Sequence, residues 1–217
     1  LYGLLDATVR LLCKTPAETA WVMKGHSFVI ELGDWLHQLY PRTKNLFLYR
    51  HAETWLRSGL RAFGSGTPET EEETRQRDKQ RRQFMGSLVP LIAQYDPDRP
   101  LPHAGTLSLM WIRTMEMYVT YCEMGIEMLA IRYESWRAKP RETAVAMLDY
   151  CQCRPEDLTA VYAALNKDSQ ANTSLSQDTL GQRKRVLADS ELVELKWHLQ
   201  SHAFIHDADF EVPNTIS

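Results

Sequence analysis

Three short stretches of this 217-residue chain combine residue types that can move a proton or hold an anion. In the first, Lys24 and His26 flank Gly25 directly after an apolar run. An imidazole there can take a proton from a hydroxyl near neutral pH. Lys24 supplies a cation able to neutralise charge developing on a transferred group. If extended backbone continues through Gly25, the two side chains share parity and point the same way. In the second stretch, Arg50 closes the apolar run of residues 46–49, and Ser58 follows eight residues later. A guanidinium fork matches a phosphate, and a hydroxyl close behind would complete a clamp. The competing role for Arg50 is an ion pair with Glu53 or Glu134. In the third, Tyr133 and Trp136 flank another apolar run. A ring there can stack on a nucleobase, or simply close the rim of the core. Glu134 between them can orient a neighbouring basic group. Further on, residues 182–185 (QRKR) form the densest basic cluster that does not alternate with acids, and can fold down on an anion.

The elements that must position these groups can be read from periodicity. Residues 1–12 carry a helical apolar stripe. Thr15, Pro16 and Glu18 read as a helix start, with cap, first-turn proline and capping-box glutamate. Residues 20–24 read as a buried strand, residues 28–40 as a helix, residues 45–50 as a second strand and residues 53–63 as a helix. Apolar strands alternating with helices predict a parallel α/β sheet, whose ligands sit beyond the carboxyl ends of the strands. That rule selects Lys24–Ser27 and Arg50–Ser58.

Residues 64–70 predict a flexible turn. Residues 71–83 predict a charged helix with i,i+4 pairs Glu71–Arg75, Glu73–Arg77 and Asp78–Arg82, either a solvated face or a basic docking surface. Residues 90–105, with four prolines, predict a loop or lid. A long helix follows over 107–125, with Leu107, Met110, Trp111, Tyr118, Tyr121 and Cys122 on one face. Residues 128–133 predict a third strand, followed by a loop, a helix over 143–151, a helix from Pro155 to Leu165, a polar segment over 166–181 and a helix over 189–202.

Composition narrows the function classes. Apolar residues make up 44% and the net charge is −3, which fits a globular chain and argues against a duplex nucleic-acid binder. No apolar run reaches transmembrane length. The four cysteines follow no redox or zinc spacing, the seven histidines no metal spacing, and no metal site is expected. No leader is visible, which places the protein in the cytoplasm if Leu1 lies near the natural start. The opening LYGLLDATVRLL reads instead as the middle of an uncapped helix.

Taken together, three segments resemble the PAPS-dependent sulfotransferase superfamily over roughly residues 20–165. MKGHS resembles the K-x-H segment that supplies the catalytic base. YPRTKNLFLYRHAETWLRSG resembles the second PAPS signature, in which an Arg and a Ser stand eight residues apart; the 24-residue separation of His26 from Arg50 also fits. MLAIRYESWRAKP resembles the segment R-Y-E-D-L-x-x-x-P, with YES in place of YED. The resemblance implies a P-loop-like α/β fold in a single domain spanning 1–217. Residues 64–106 would be a largely helical insertion that caps the acceptor. It implies transfer of a sulfuryl group from PAPS (3′-phosphoadenosine 5′-phosphosulfate) to a hydroxyl or amine, leaving PAP. His26 would be the general base and Lys24 an auxiliary cation. Arg50 and Ser58 would hold the 3′-phosphate, Tyr133 would lie near the adenine, and Arg183 and Lys184 would stand for the C-terminal basic loop. The acceptor would be a small molecule, lipid or carbohydrate. The family's first signature, the Gly-rich phosphosulfate loop after a strand, has no counterpart here, and the resemblance implies that it precedes Leu1. If no such loop exists, the reading becomes a degenerate nucleotide-binding or interaction domain of the same fold. A small-molecule kinase is the third alternative and would need a magnesium-binding acid.

Overall fold

The computed structural model describes residues 2–13, 21–64, 67–168, 170–173, 175–181 and 185–216. Helix α1 (Tyr2–Leu12) is followed by a short 3-10 helix (Ser27–Leu32) and α2 (Gly33–Leu39). Strand β1 (Asn45–Tyr49) leads into α3 (Ala52–Phe63). Then come α4 (Glu71–Gly86), the single turn α5 (Pro90–Ala93) and the long α6 (His103–Glu123). Strand β2 (Met128–Arg132) runs directly into α7 (Tyr133–Ala138), and α8 (Pro140–Tyr150) follows. Helices α9 (Thr159–Leu165), α10 (Gln177–Gly181) and α11 (Asp189–Ser201) precede a two-residue strand, β3 (Thr215–Ile216).

The architecture is α/β. Among the described residues the strands form one small sheet in the order β1-β2-β3, parallel throughout. Helix α6 is its counterpart. Phe47 and Tyr49 point from β1 toward it, and the Phe47 ring stacks on Tyr118 with centroids 4.6 Å apart. Trp111, Ile112, Met115 and Tyr118 of α6 are essentially without solvent contact, so the Met and aromatic stripe read from the sequence is packing. The Tyr118 hydroxyl donates to the carbonyl of Pro213, which ties the C-terminal tail to the same helix.

Several expectations hold at the level of elements: β1, α3, α6, β2 and α11 fall where the pattern placed them. The three charge pairs of α4 form, at 3.6 Å for Glu71–Arg75, 4.0 Å for Glu73–Arg77 and 2.9 Å for Asp78–Arg82. The far end of α4 is not a solvated face. Arg81 donates to the carbonyl of Leu101, and Arg82 to those of Tyr95, Asp96 and Arg99, so two arginines stitch the proline-rich segment to the helix.

Other expectations fail. The strand over residues 20–24 is not formed: Trp21–Gly25 is irregular and exposed, with Val22 86% exposed. A strand needs a partner, and among the described residues none pairs with the outer edge of β1, while Leu46 and Leu48 are exposed. The helix over 28–40 splits into the 3-10 turn and α2 at Gly33, whose Cβ, if present, would lie 2.5 Å from the Tyr121 ring. Tyr133, expected to close the third strand, instead opens α7, and the loop expected after it is helical through Ala138. The helix predicted from Pro155 begins at Thr159, where the Asp157 carboxylate accepts the Thr159 N–H. The helix start at residues 15–18 lies outside the described residues. All four cysteines are free and partly buried. No described helix is long and apolar enough to cross a membrane.

Candidate functional site

The parallel register of β1 and β2 pairs Tyr49 with Arg132, so the next residues, Arg50 and Tyr133, leave the sheet side by side. The Arg50 guanidinium lies 3.7 Å from the centre of the Tyr133 ring, a cation–π contact. Its backbone is fixed from the other side, where the Trp111 indole N–H donates to the Arg50 carbonyl at 2.8 Å. Two residues predicted separately, for phosphate and for base stacking, therefore form one unit at the carboxyl end of the sheet.

Arg50 has neither of the ion pairs considered from the sequence. Glu134 accepts the Thr54 hydroxyl at 2.6 Å and the His51 N–H at 3.3 Å, and pairs with Arg132 at 3.6 Å. These bonds hold the Glu134 carboxyl below its ordinary pKa although burial opposes them. They also latch the β1–α3 turn, where His51 caps α3 by accepting the Glu53 N–H on Nδ1. Arg50 is left desolvated, and burial pulls its pKa down.

One residue the sequence reading missed strengthens that balance. Arg61 stands three residues after Ser58, one turn along the same face of α3, and its charge acts repulsively on Arg50. Arg61 has no carboxylate partner among the described residues, and its Nε is buried without a hydrogen bond. The Ser58 hydroxyl, half-buried between them in sequence, also makes no hydrogen bond among the described residues. Arg50, the Tyr133 ring and the longer-range charge of Arg61 thus stand together with Glu134 as the nearby anion, and Ser58 is brought near them by helical spacing alone. The signal available in the sequence was the i,i+3 spacing of Ser58 and Arg61.

The catalytic candidates are placed differently. Lys24 and His26 lie in the exposed segment ahead of the 3-10 helix, so the shared strand parity expected of them does not apply. His26 has extended backbone, stacks on Phe28 with centroids 5.0 Å apart and meets the Ser27 hydroxyl through Nδ1 at 3.3 Å. Among the described residues no hydrogen bond, ion pair or ring contact joins Lys24 or His26 to Arg50, Ser58 or Tyr133. What the two regions share is a scaffold. The 3-10 helix is pinned to α6 by the Arg113–Glu31 ion pair at 2.7 Å and by the Tyr121 hydroxyl donating to the Ile30 carbonyl; Trp111 of the same helix holds Arg50. Arg183 and Lys184 lie outside the described residues. Their neighbour Arg185 is buried in an ion pair with Glu191. Among the described residues no group of three or more His, Cys, Asp or Glu gathers as metal ligands.

No family model, curated protein or solved structure matches the chain.

Proposed function

We propose that this chain is a sulfotransferase-type domain that binds the 3′-phosphoadenosine end of PAPS at Arg50, Ser58, Arg61 and Tyr133, and transfers the sulfuryl group to a hydroxyl or amine acceptor. The observation that carries the reading is Arg50: a partly desolvated guanidinium at a parallel strand end, stacked on an aromatic ring, which Glu134 attracts from beyond ion-pair contact. A partly desolvated cation without a contact counter-charge is costly, and a bound anion lowers that cost. A dianionic 3′-phosphate suits the two guanidinium forks, and an adenine suits the exposed part of the Tyr133 ring.

In the transfer step the acceptor oxygen or nitrogen attacks the sulfur in line. Its bond to sulfur forms as the bond from sulfur to the bridging phosphate oxygen breaks. The acceptor proton passes to the imidazole of His26, and PAP leaves with the electron pair. Lys24 would neutralise charge on the bridging oxygen. The test follows PAP release from PAPS by the full-length protein across phenol, amine and sugar acceptors, for the wild type and for His26→Ala. Transfer lost in His26→Ala with PAP binding retained supports the assignment; transfer undiminished in that variant would refute the role of His26.

A second reading draws on a specific observation. His26 is exposed and makes no contact with the arginine cluster. A domain that binds the nucleotide without transferring from it would have this arrangement. Saturable PAP binding without PAP release from PAPS under any acceptor would select it.

A further inference from the structure

A cavity lies at the carboxyl end of α3. It has a volume of about 420 Å³, is open to solvent on one side and is lined by the end of α3, the start of α4, the proline-rich segment, the N-terminus of α6 and α11. That volume is within the range of pockets that hold small ligands. Its charged wall is already neutralised. Glu69 is paired with Arg81 and Arg77 and accepts the His103 N–H; Glu194 is paired with Arg99 at 2.9 Å and with His198 at 3.0 Å; Glu191 is paired with Arg185 and accepts the Ala188 N–H. Gly105 permits this closure, since a Cβ there would stand 2.7 Å from Glu194 Oε1.

Two polar groups on the wall remain unanswered. His103 and Thr74 both line the cavity, and among the described residues neither side chain meets a hydrogen-bond partner. Thr74 is the one buried residue of α4. Neither the Thr74 hydroxyl nor the His103 ring is sealed from water, and a ligand's own polar groups can take the place of that water. An ionic ligand would find every inner carboxylate taken. An uncharged one would meet an acceptor nitrogen, a hydroxyl and the apolar sides of Leu60, Pro100 and Pro102.

We propose that this cavity is a binding site for an uncharged, hydroxyl-bearing small molecule of phenol or sugar size, whose hydroxyl is received by the His103 ring and the Thr74 side chain. Arg50, Ser58, Arg61 and Tyr133 do not line this cavity, and the proposal does not depend on the nucleotide reading. Burial, with Arg81 and Arg77 beside it, lowers the His103 pKa, so the ring is neutral at pH 7 and can accept a hydroxyl proton; Glu69 opposes this only in part.

The test titrates the full-length protein with phenol and, separately, with methyl β-D-glucopyranoside, following the histidine Cε1–H resonances. The His103 signal is assigned by its loss in His103→Phe. The proposal expects a saturable shift of that signal with one of the two probes at up to ~10 mM; the responding probe identifies the source of the hydroxyl. Thr74→Val keeps the side-chain shape and removes the hydroxyl. It should weaken that probe about fivefold, the loss of one hydrogen bond, with the melting temperature unchanged. Silence of the His103 signal toward both probes overturns the proposal. So does wild-type affinity in Thr74→Val, a result that stands even if His103→Phe fails to fold. Both probes are uncharged and are read at His103, so neither result bears on PAP binding.

Discussion

Replacing Arg50 by Met separates an anion-binding arginine from a structural one, because the two roles predict opposite effects on the unliganded protein. Arg50 has no ion pair to lose. What disappears is its contact with Tyr133, worth about 0.5–2 kcal/mol. What is gained is relief from holding a desolvated charge, together with a thioether contact to the same ring of about 0.3–1.5 kcal/mol. The net change in stability should fall within about 1 kcal/mol. The response to nucleotide should change far more. At a concentration of about 100 times its dissociation constant, PAP would stabilise the wild type by ~2.7 kcal/mol. For a chain of this size that raises the melting temperature by about 5–11 °C. Losing a bidentate charge-assisted contact of about 3 kcal/mol weakens binding by more than a hundredfold, which erases the shift at the same concentration. Thermal melts of both proteins with and without PAP read both quantities. The reasoning is refuted if Arg50→Met loses about 3–5 kcal/mol, as a broken buried ion pair would, and still shows the wild-type shift.

Two further outcomes follow from the same geometry. Glu134→Ala removes the acceptor of the Thr54 hydroxyl and the His51 N–H; urea unfolding should show a loss of about 1–3 kcal/mol, and PAP should bind more weakly because the β1–α3 turn that aims Arg50 is unlatched. Stability should also fall on acidification in two windows. Burial, the largest cause in each case, lowers the folded pKa of His103 and of His202. The unfolded chain therefore takes up protons first, and stability present above about pH 6.5 is lost below it. Hydrogen bonds hold Glu134 and Asp209 below the ordinary carboxylate range, so a second loss follows as pH falls through and below that range. Urea melts from about pH 7.5 downward check the sign; stability that rises on acidification from neutrality would contradict it, and His103→Gln should shrink the first window to the part owed to His202.

The parts of this account that were legible in the sequence are those set by local pattern. The β1 run ending in Arg50, the apolar face of α6 and the alternating charges of α4 need no distant partner to be recognised. The strand over 20–24 was misread for the opposite reason. Four apolar residues have strand character, but a strand is made by its neighbour, and among the described residues none pairs with the outer edge of β1. Strand β3 is two residues long, too short to leave a pattern. The convergence of Arg50 with Tyr133 was implicit in two strand ends, yet it required the register, which only the fold supplies. Arg61 was within reach from helical spacing. The cavity beside His103 was not, because its wall is assembled from α3, α4, α6 and α11, which are remote in sequence. Arg82 was read as a solvated partner of Asp78, and it is that; its three bonds to backbone carbonyls depend on where the proline-rich segment folds back.

The central claim is that the arginine cluster reads a 3′-phosphate, and calorimetric titration of the full-length protein with PAP and with 5′-AMP tests it most directly. The two ligands differ only in that phosphate. The account predicts that PAP binds the wild type at least ~100-fold more tightly than AMP, a difference of about 3 kcal/mol, and that Arg50→Ala collapses the gap by weakening PAP alone. Equal binding of PAP and AMP by the folded wild type, or a gap that survives in Arg50→Ala, would contradict it.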